Sequence, residues 1–232
     1  MKRIKKVVYE ILNKICPSLL HCKISYSQDG EDLLLASFYE EYKRFKGFFI
    51  DAGAHHPFRF SNTAYFYKRG WRGINIEPTP DLFKSFVKHR KRDININTGI
   101  GTGEMLSFYV FNEGALNTFD PLLAEERNGS HNGKYRIVNQ LQIKTQSLGE
   151  ILDKHLPADT HIDLLTIDVE GMDYIVLQSN NWEKYIPDFI LIECEEHIDN
   201  LNNDKIYQFL CDKNYSLVGR TKRTSLFRHN NR

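Results

Sequence analysis

Acidic residues close several of the apolar runs in this sequence. Phe48-Phe49-Ile50 leads into Asp51-Ala52-Gly53-Ala54-His55-His56-Pro57, and Gly73 to Ile76 into Glu77. Ile162 to Ile167 leads into Asp168-Val169-Glu170-Gly171, and Asp188 to Ile192 into Glu193. A carboxylate at such a place can accept hydrogen bonds from hydroxyls, attract a cation or take a proton. A dinucleotide turn would prefer G-x-G-x-x-G, with glycines around a pyrophosphate. Here Gly53 stands alone with Asp51 beside it. The glycine lets a ligand approach the backbone while the acid repels phosphate, so the pair suits a ligand with a cationic portion. The alternative for this turn is a helix cap after a strand.

Glu77 lies 24 residues after Gly53, where an acid can accept hydrogen bonds from both hydroxyls of a ribose. S-adenosylmethionine combines a ribose, a charged amino-acid end and a sulfonium, and carries no phosphate. An acceptor hydroxyl is a poor nucleophile near neutral pH, so methyl transfer to it gains from a nearby base. Asp168, Glu170 and His56 are the candidates. Glu170 could instead cap the next helix, and one of His55 and His56 could anchor its own loop. Asp168 and Glu193 offer hard oxygen donors without an evident third ligand, so no metal is assigned.

These groups need elements to hold them. Short apolar runs at 48–50, 73–77, 94–97, 162–168 and 188–193 read as buried strands. Helices are expected at about 63–69, 81–91, 172–178 and 204–213, and one from an Asp29 cap to about Arg44. A hairpin of Tyr215–Gly219 and Ser225–Arg228 ends the chain. Strands alternating with helices imply an α/β fold with a mainly parallel sheet, whose ligands bind beyond the carboxyl ends of the strands. The final hairpin is expected to add an antiparallel edge. Residues 103–146 interrupt the rhythm with two alternating stretches, Met105–Phe111 and Tyr135–Lys144, around a polar loop. Lys84, Lys88, Arg90, Lys91 and Arg92 read as a solvated helix face, and Arg220, Lys222, Arg223 and Arg228 as a solvated turn or a contact for an anionic acceptor.

The ensemble of motifs resembles the FkbM-type methyltransferase family. The resemblance is carried by Phe49 to Pro57 with Ser61-Asn62-Thr63, and by Gly70-Trp71-Arg72-Gly73-Ile74-Asn75-Ile76-Glu77-Pro78. Ser27-Gln28-Asp29-Gly30-Glu31-Asp32, Ile167-Asp168-Val169-Glu170-Gly171 and Ile192-Glu193 follow the same order. It implies the class I methyltransferase fold, Rossmann-like, with seven strands of which the last is antiparallel. It also implies S-adenosylmethionine as cofactor and O-methylation of a hydroxyl on a sugar, glycan or related molecule. Asp51, Gly53 and Asp168 would then line the methionine end, Glu77 would hold the ribose, and adenine would pack by Gly99. The rivals are a cofactor-binding module without activity and a nicotinamide-dependent oxidoreductase on a similar sheet.

The 232 residues suit one catalytic domain, expected over 24–232, behind an amphipathic basic helix at 1–23. The 31 Lys and Arg nearly balance the 30 Asp and Glu, which argues against a dedicated nucleic-acid binder. The balance is uneven along the chain: residues 1–23 carry +5 and the rest −4. That helix is expected to dock on its own domain, on a second copy in a homo-oligomer, or on an anionic membrane surface. The four cysteines form no C-x-x-C pair, and no signal peptide or spanning segment is evident, so a cytoplasmic protein is expected.

Overall fold

The computed structural model describes residues 10, 13–39, 45–194 and 196–232. Residues 1–9, 11 and 12 of the expected basic helix at 1–23 lie outside them; within that segment a 3₁₀ turn spans Pro17–Leu20. No helix among the described residues is long and apolar enough to cross a membrane.

Helix α1 spans Glu31–Tyr39, not from Asp29. Gly30, at φ +92°, turns the chain into the helix, and Glu31 folds its carboxylate back onto the Asp29 N–H. Residues 40–44, where the expected helix would end, are not among those described. There follow β1 (Phe48–Ala52), α2 (Ala64–Lys68), β2 (Arg72–Ile76), α3 (Pro80–His89) and β3 (Ile94–Ile96). The insert supplies β4 (Gly99–Ile100), β5 (Met105–Phe111), α4 (Pro121–Arg127) and β6 (Ile137–Gln146). The chain closes with α5 (Leu148–His155), β7 (Leu164–Ile167), α6 (Asp173–Gln178), β8 (Phe189–Glu193), α7 (Lys205–Asp212), β9 (Tyr215–Arg220) and β10 (Thr224–His229). Helix α5 was not expected. Its signal is a capping box, in which Ser147 accepts the Glu150 N–H while the Glu150 carboxylate accepts the Ser147 N–H.

Seven strands form one sheet in the order β3-β2-β1-β7-β8-β10-β9. Neighbours run parallel except β10, which is antiparallel to both β8 and β9. The antiparallel strand therefore sits inside the sheet, and β9, not β10, is the edge. Ile50, Ile74, Leu165 and Ile190 pack on one face with Leu148 and Ile151 of α5, Val176 of α6 and Leu210 of α7. Phe49, Leu164 and Leu191 pack on the other with Leu35 of α1, Phe66 and Trp71. A second sheet, β4-β6-β5, is folded from the insert.

Candidate active site

Strand parity brings the acids together. Successive side chains alternate between faces, and parallel partners in register share a face. Asp51 pairs with Asn75 and with Thr166, and Thr166 with Leu191. Two residues on, Glu77, Asp168 and Glu193 therefore follow on the face that bears Asp51. Beyond the carboxyl ends of these strands lies a cleft of about 860 Å³, counting its open mouth. Asp51, Gly53, Glu77 and Asp168 line its floor; Ile100, Phe108, Ala115 and Phe119 of the insert line its roof.

The floor is tightly built. Gly53 has φ +82°, and a β-carbon there would stand 2.0 Å from the Asp168 carbonyl oxygen. Asp51 is buried and accepts a 2.6 Å hydrogen bond from Thr63 Oγ1. Burial pushes its carboxyl up to about 6, against the Thr63 hydrogen bond and the Arg90 charge. Glu77 is buried too, with one oxygen accepting the Thr79 N–H at 2.6 Å and the other the His55 N–H at 2.9 Å. Its carboxyl is pushed up to about 7, first by burial and further by Asp51. The Thr79 hydroxyl also bonds to this carboxylate and, with the two N–H groups, opposes the rise.

Asp168 opens onto the cleft, and among the described residues none donates a hydrogen bond to its carboxylate. Walled by protein below and beside it, and facing Glu170, Glu193, Asp173 and Asp51, it titrates well above the usual carboxylate range. Glu170 does not cap the next helix, whose N-cap residue, Met172, makes no side-chain capping bond; Asp173, in the first turn, accepts the Val169 and Gly171 N–H groups of the preceding turn. Glu170 instead pairs with Arg127 of α4 at 2.5 Å. Glu193 faces a neighbouring groove, shared with Gln28, Phe60, Asn62, Asp168 and Arg223.

Two site assignments need correction. His56 does not line the cleft: its Nδ1 accepts the backbone N–H groups of Phe58 and Arg59, so it is the loop anchor. His55 lines the cleft instead, at φ +51°, with both ring nitrogens buried and without partners. Burial brings it down to about 4, so it is neutral near pH 7. Gly99 is also absent from the cleft wall, because a β-carbon there would stand 2.5 Å from the Phe119 ring; Thr98 and Ile100 beside it form the wall. The basic run is not uniformly solvated either. Arg90 is completely buried and donates to Pro57, Ser61, Thr63 and Asp93. Among the described residues, His161, Asp163 and Asp188 form a three-ligand cluster at the opposite ends of the strands. Arg232 already supplies a cation there, 3.3 Å from Asp188.

The family model for the methyltransferase FkbM domain matches residues 51–217, the span from Asp51 into the start of β9. A methyltransferase FkbM of known structure from Methylobacillus flagellatus KT aligns at 14% identity and TM-score 0.46, covering 79% of this chain and 43% of the other. This chain thus spans less than half the length of that protein. A Pyrococcus horikoshii chain provisionally described as an RNA methyltransferase aligns at 11% identity and TM-score 0.42, covering 88% of this chain and 83% of the other. No curated protein matches significantly. With the seven-stranded sheet, its inserted antiparallel strand and the strand-end acids in place, the family match over residues 51–217 decides the assignment: the chain belongs to the FkbM family of methyltransferases.

Proposed function

We propose that this methyltransferase transfers the methyl group of S-adenosylmethionine to a hydroxyl of a sugar or glycan. The observation that carries the reading is a single continuous surface. A cleft with buried acids, apolar roof and glycine turn meets a polar groove, and Asp168 lies on both.

The residues fit the cofactor. A side chain at Gly53 would collide with the Asp168 backbone, so the close packing of this turn, which lines the cleft, depends on its absence. Glu77, lining the cleft, would accept from the ribose hydroxyls. Ile100, Phe108 and Phe119 offer an apolar slot for a flat base, and the His55 ring nitrogens await a partner. Asp51 and Asp168 together favour a positive charge. When bound, S-adenosylmethionine would supply an electrophilic methyl on a cationic sulfur.

The acceptor side follows from the groove. Gln28, Asn62 and Glu193 offer planar hydrogen-bonding groups, and Phe60 presents an exposed ring. Planar polar groups suit neighbouring hydroxyls, and an aromatic face suits the C–H face of a sugar ring. Asp168, with its raised proton affinity, would take the hydroxyl proton as oxygen bonds to carbon; positioning in line supplies the larger share of catalysis.

The test is transfer of a labelled methyl group to a panel of glycans, nucleotide-sugars and lipid-linked saccharides. Label on a saccharide oxygen is the expected result, with methyl transfer in Asp168→Asn lost to a greater extent than cofactor affinity. Label found only on nitrogen, protein or RNA would overturn the acceptor reading.

A further inference from the structure

Arg90 is one of the largest side chains in the protein with no solvent exposure. A buried guanidinium is costly unless its donors are satisfied, and here the partners are arranged in one direction. Nε donates to the Pro57 carbonyl at 3.1 Å, Nη1 to Asp93 at 3.4 Å, and Nη2 to Ser61 Oγ at 3.1 Å and Thr63 Oγ1 at 2.9 Å. The Tyr67 ring lies 4.6 Å from the guanidinium carbon. Pro57, Ser61 and Thr63 all belong to the loop that leaves Asp51 and enters α2.

The consequence turns on a proton count. A guanidinium only donates, so Thr63 Oγ1 must accept from Arg90. A hydroxyl has one hydrogen, and Thr63 spends it on Asp51 Oδ2 at 2.6 Å. Thr63 is thereby fixed as a donor to Asp51. Its side chain makes no capping bond to α2, and its longer 3.4 Å contact with Ser61 Oγ is one that Thr63 can accept.

We propose that Arg90 is a positioning residue of the methyltransferase site, acting through Thr63 to orient the Asp51 carboxylate and favour its charged form. Its effect on the cofactor rests on the reading of Asp51 given under Proposed function. The other titratable groups facing Asp51, Glu77 at the end of β2 and Asp168 at the end of β7, are acids that Asp51 itself raises. Arg90, at the end of α3, supplies the opposing positive charge. Asp93 shares the guanidinium on its far side.

The experiment follows the Asp51 side-chain carboxyl by carbon-13 NMR in the ligand-free protein, with calorimetric affinity for S-adenosylmethionine across the same pH range. The parent midpoint is expected near 6. Arg90→Met should raise it by about one unit and weaken binding about twofold at pH 7 and up to about tenfold near pH 5, while Arg90→Lys, keeping the charge, should move the midpoint less than half as far. Lowered thermal stability with an unmoved midpoint in both variants would reduce Arg90 to a packing role and overturn the proposal. Should Arg90→Met fail to fold, Thr63→Val removes only the connecting hydroxyl; a raised midpoint supports the relay and an unchanged one refutes it. Asp51→Asn separates the two readings. If it binds the cofactor as the parent does while Arg90→Met still shifts Asp51, the relay stands and the cofactor assignment of Asp51 falls.

Discussion

The two walls of the cleft are built on different principles. The floor is made of strand ends and turns whose polar groups are committed: Glu77 to two backbone N–H groups, Asp51 to Thr63, and Thr63 and Ser61 to a buried arginine. The roof is a ribbon from the insert, with much of β6 turned to solvent. Side chains fasten it to the rest: Asn117 to Thr79, Arg127 to Glu170, and Arg59 to Glu113. Buried, mutually dependent groups fix where charge stands, so the floor sets the chemistry. A wall attached through single contacts can change shape without disturbing that chemistry, so the roof governs access and fit.

The largest expected effect breaks the floor and spares the roof. Gly53→Ala places a methyl group into the Asp168 backbone at a positive φ, which should cost about 3 kcal/mol or more of stability and remove cofactor binding. Gly103, in the turn before β5, also has positive φ (+99°), but nothing lies within 4 Å of its added carbon. Gly103→Ala should cost only the left-handed backbone penalty, roughly 1 kcal/mol. Denaturant unfolding of both variants measures the contrast; equal losses would mean the floor is no more constrained than the insert.

A second test concerns the acids. The Glu77 carboxyl, raised from 4.5 to about 7 by burial, holds a proton in the folded state that the unfolded chain has already released. Its stabilising effect is therefore complete below about pH 4.5 and is lost as pH rises to about 7. Between pH 4.5 and 7.5 the stability of ligand-free Glu77→Gln should improve relative to the parent by about 2 kcal/mol. Taking the difference between the two pH values cancels the constant cost of giving one backbone N–H a poorer acceptor. It also cancels His55, whose lowered value works in the opposite direction and is present in both proteins. Affinity for S-adenosylmethionine should meanwhile fall about a hundredfold, by calorimetry, as the proposed ribose contacts would be impaired. A variant that lost affinity without any pH-dependent gain would show that Glu77 is not held against its own charge.

These contrasts also explain what the sequence could and could not disclose. Asp51, Glu77, Asp168 and Glu193 were legible because each ends an apolar strand and the period of two fixes their common face. His55 and His56 were not separable, because their roles depend on which ring turns toward Phe58 and Arg59. Arg90 was hidden by its neighbours: Lys88, Lys91 and Arg92 make a solvated run look continuous, and only the packing of Pro57, Ser61 and Thr63 reveals the exception. Phe108 and Phe119 lay in a stretch whose alternation identified strands without showing what they cover. Helix α5 left a readable cap at Ser147 and Glu150 that the irregular insert before it obscured.

The smallest effect on stability should come from the contact that ties loop to roof. Arg59 donates to both oxygens of Glu113, at 2.8 and 3.0 Å, and its guanidinium lies 4.2 Å from the centre of the Phe60 ring. Glu113 also accepts the Ala115 N–H, at the turn whose Gly114 and Ala115 line the cleft. Arg59 is 46% exposed, and a pair so accessible to water contributes little to folding, about 0.5 kcal/mol or less. Its position gives it another role, because the pair bridges the loop after β1 to the ribbon across the mouth of the cleft. Arg59→Ala should leave unfolding free energy within about 0.5 kcal/mol of the parent yet raise the cofactor dissociation rate about threefold to tenfold, since changes at a binding surface fall mainly on the off-rate. Added salt should narrow the gap between parent and variant, because the bridge is screened where the apolar roof is not. Stopped-flow dissociation measured at two salt concentrations reads both effects. A variant that lost stability while releasing cofactor at the parental rate would make the bridge part of the folded core, and the division between a floor that holds charge and a roof that controls passage would not survive.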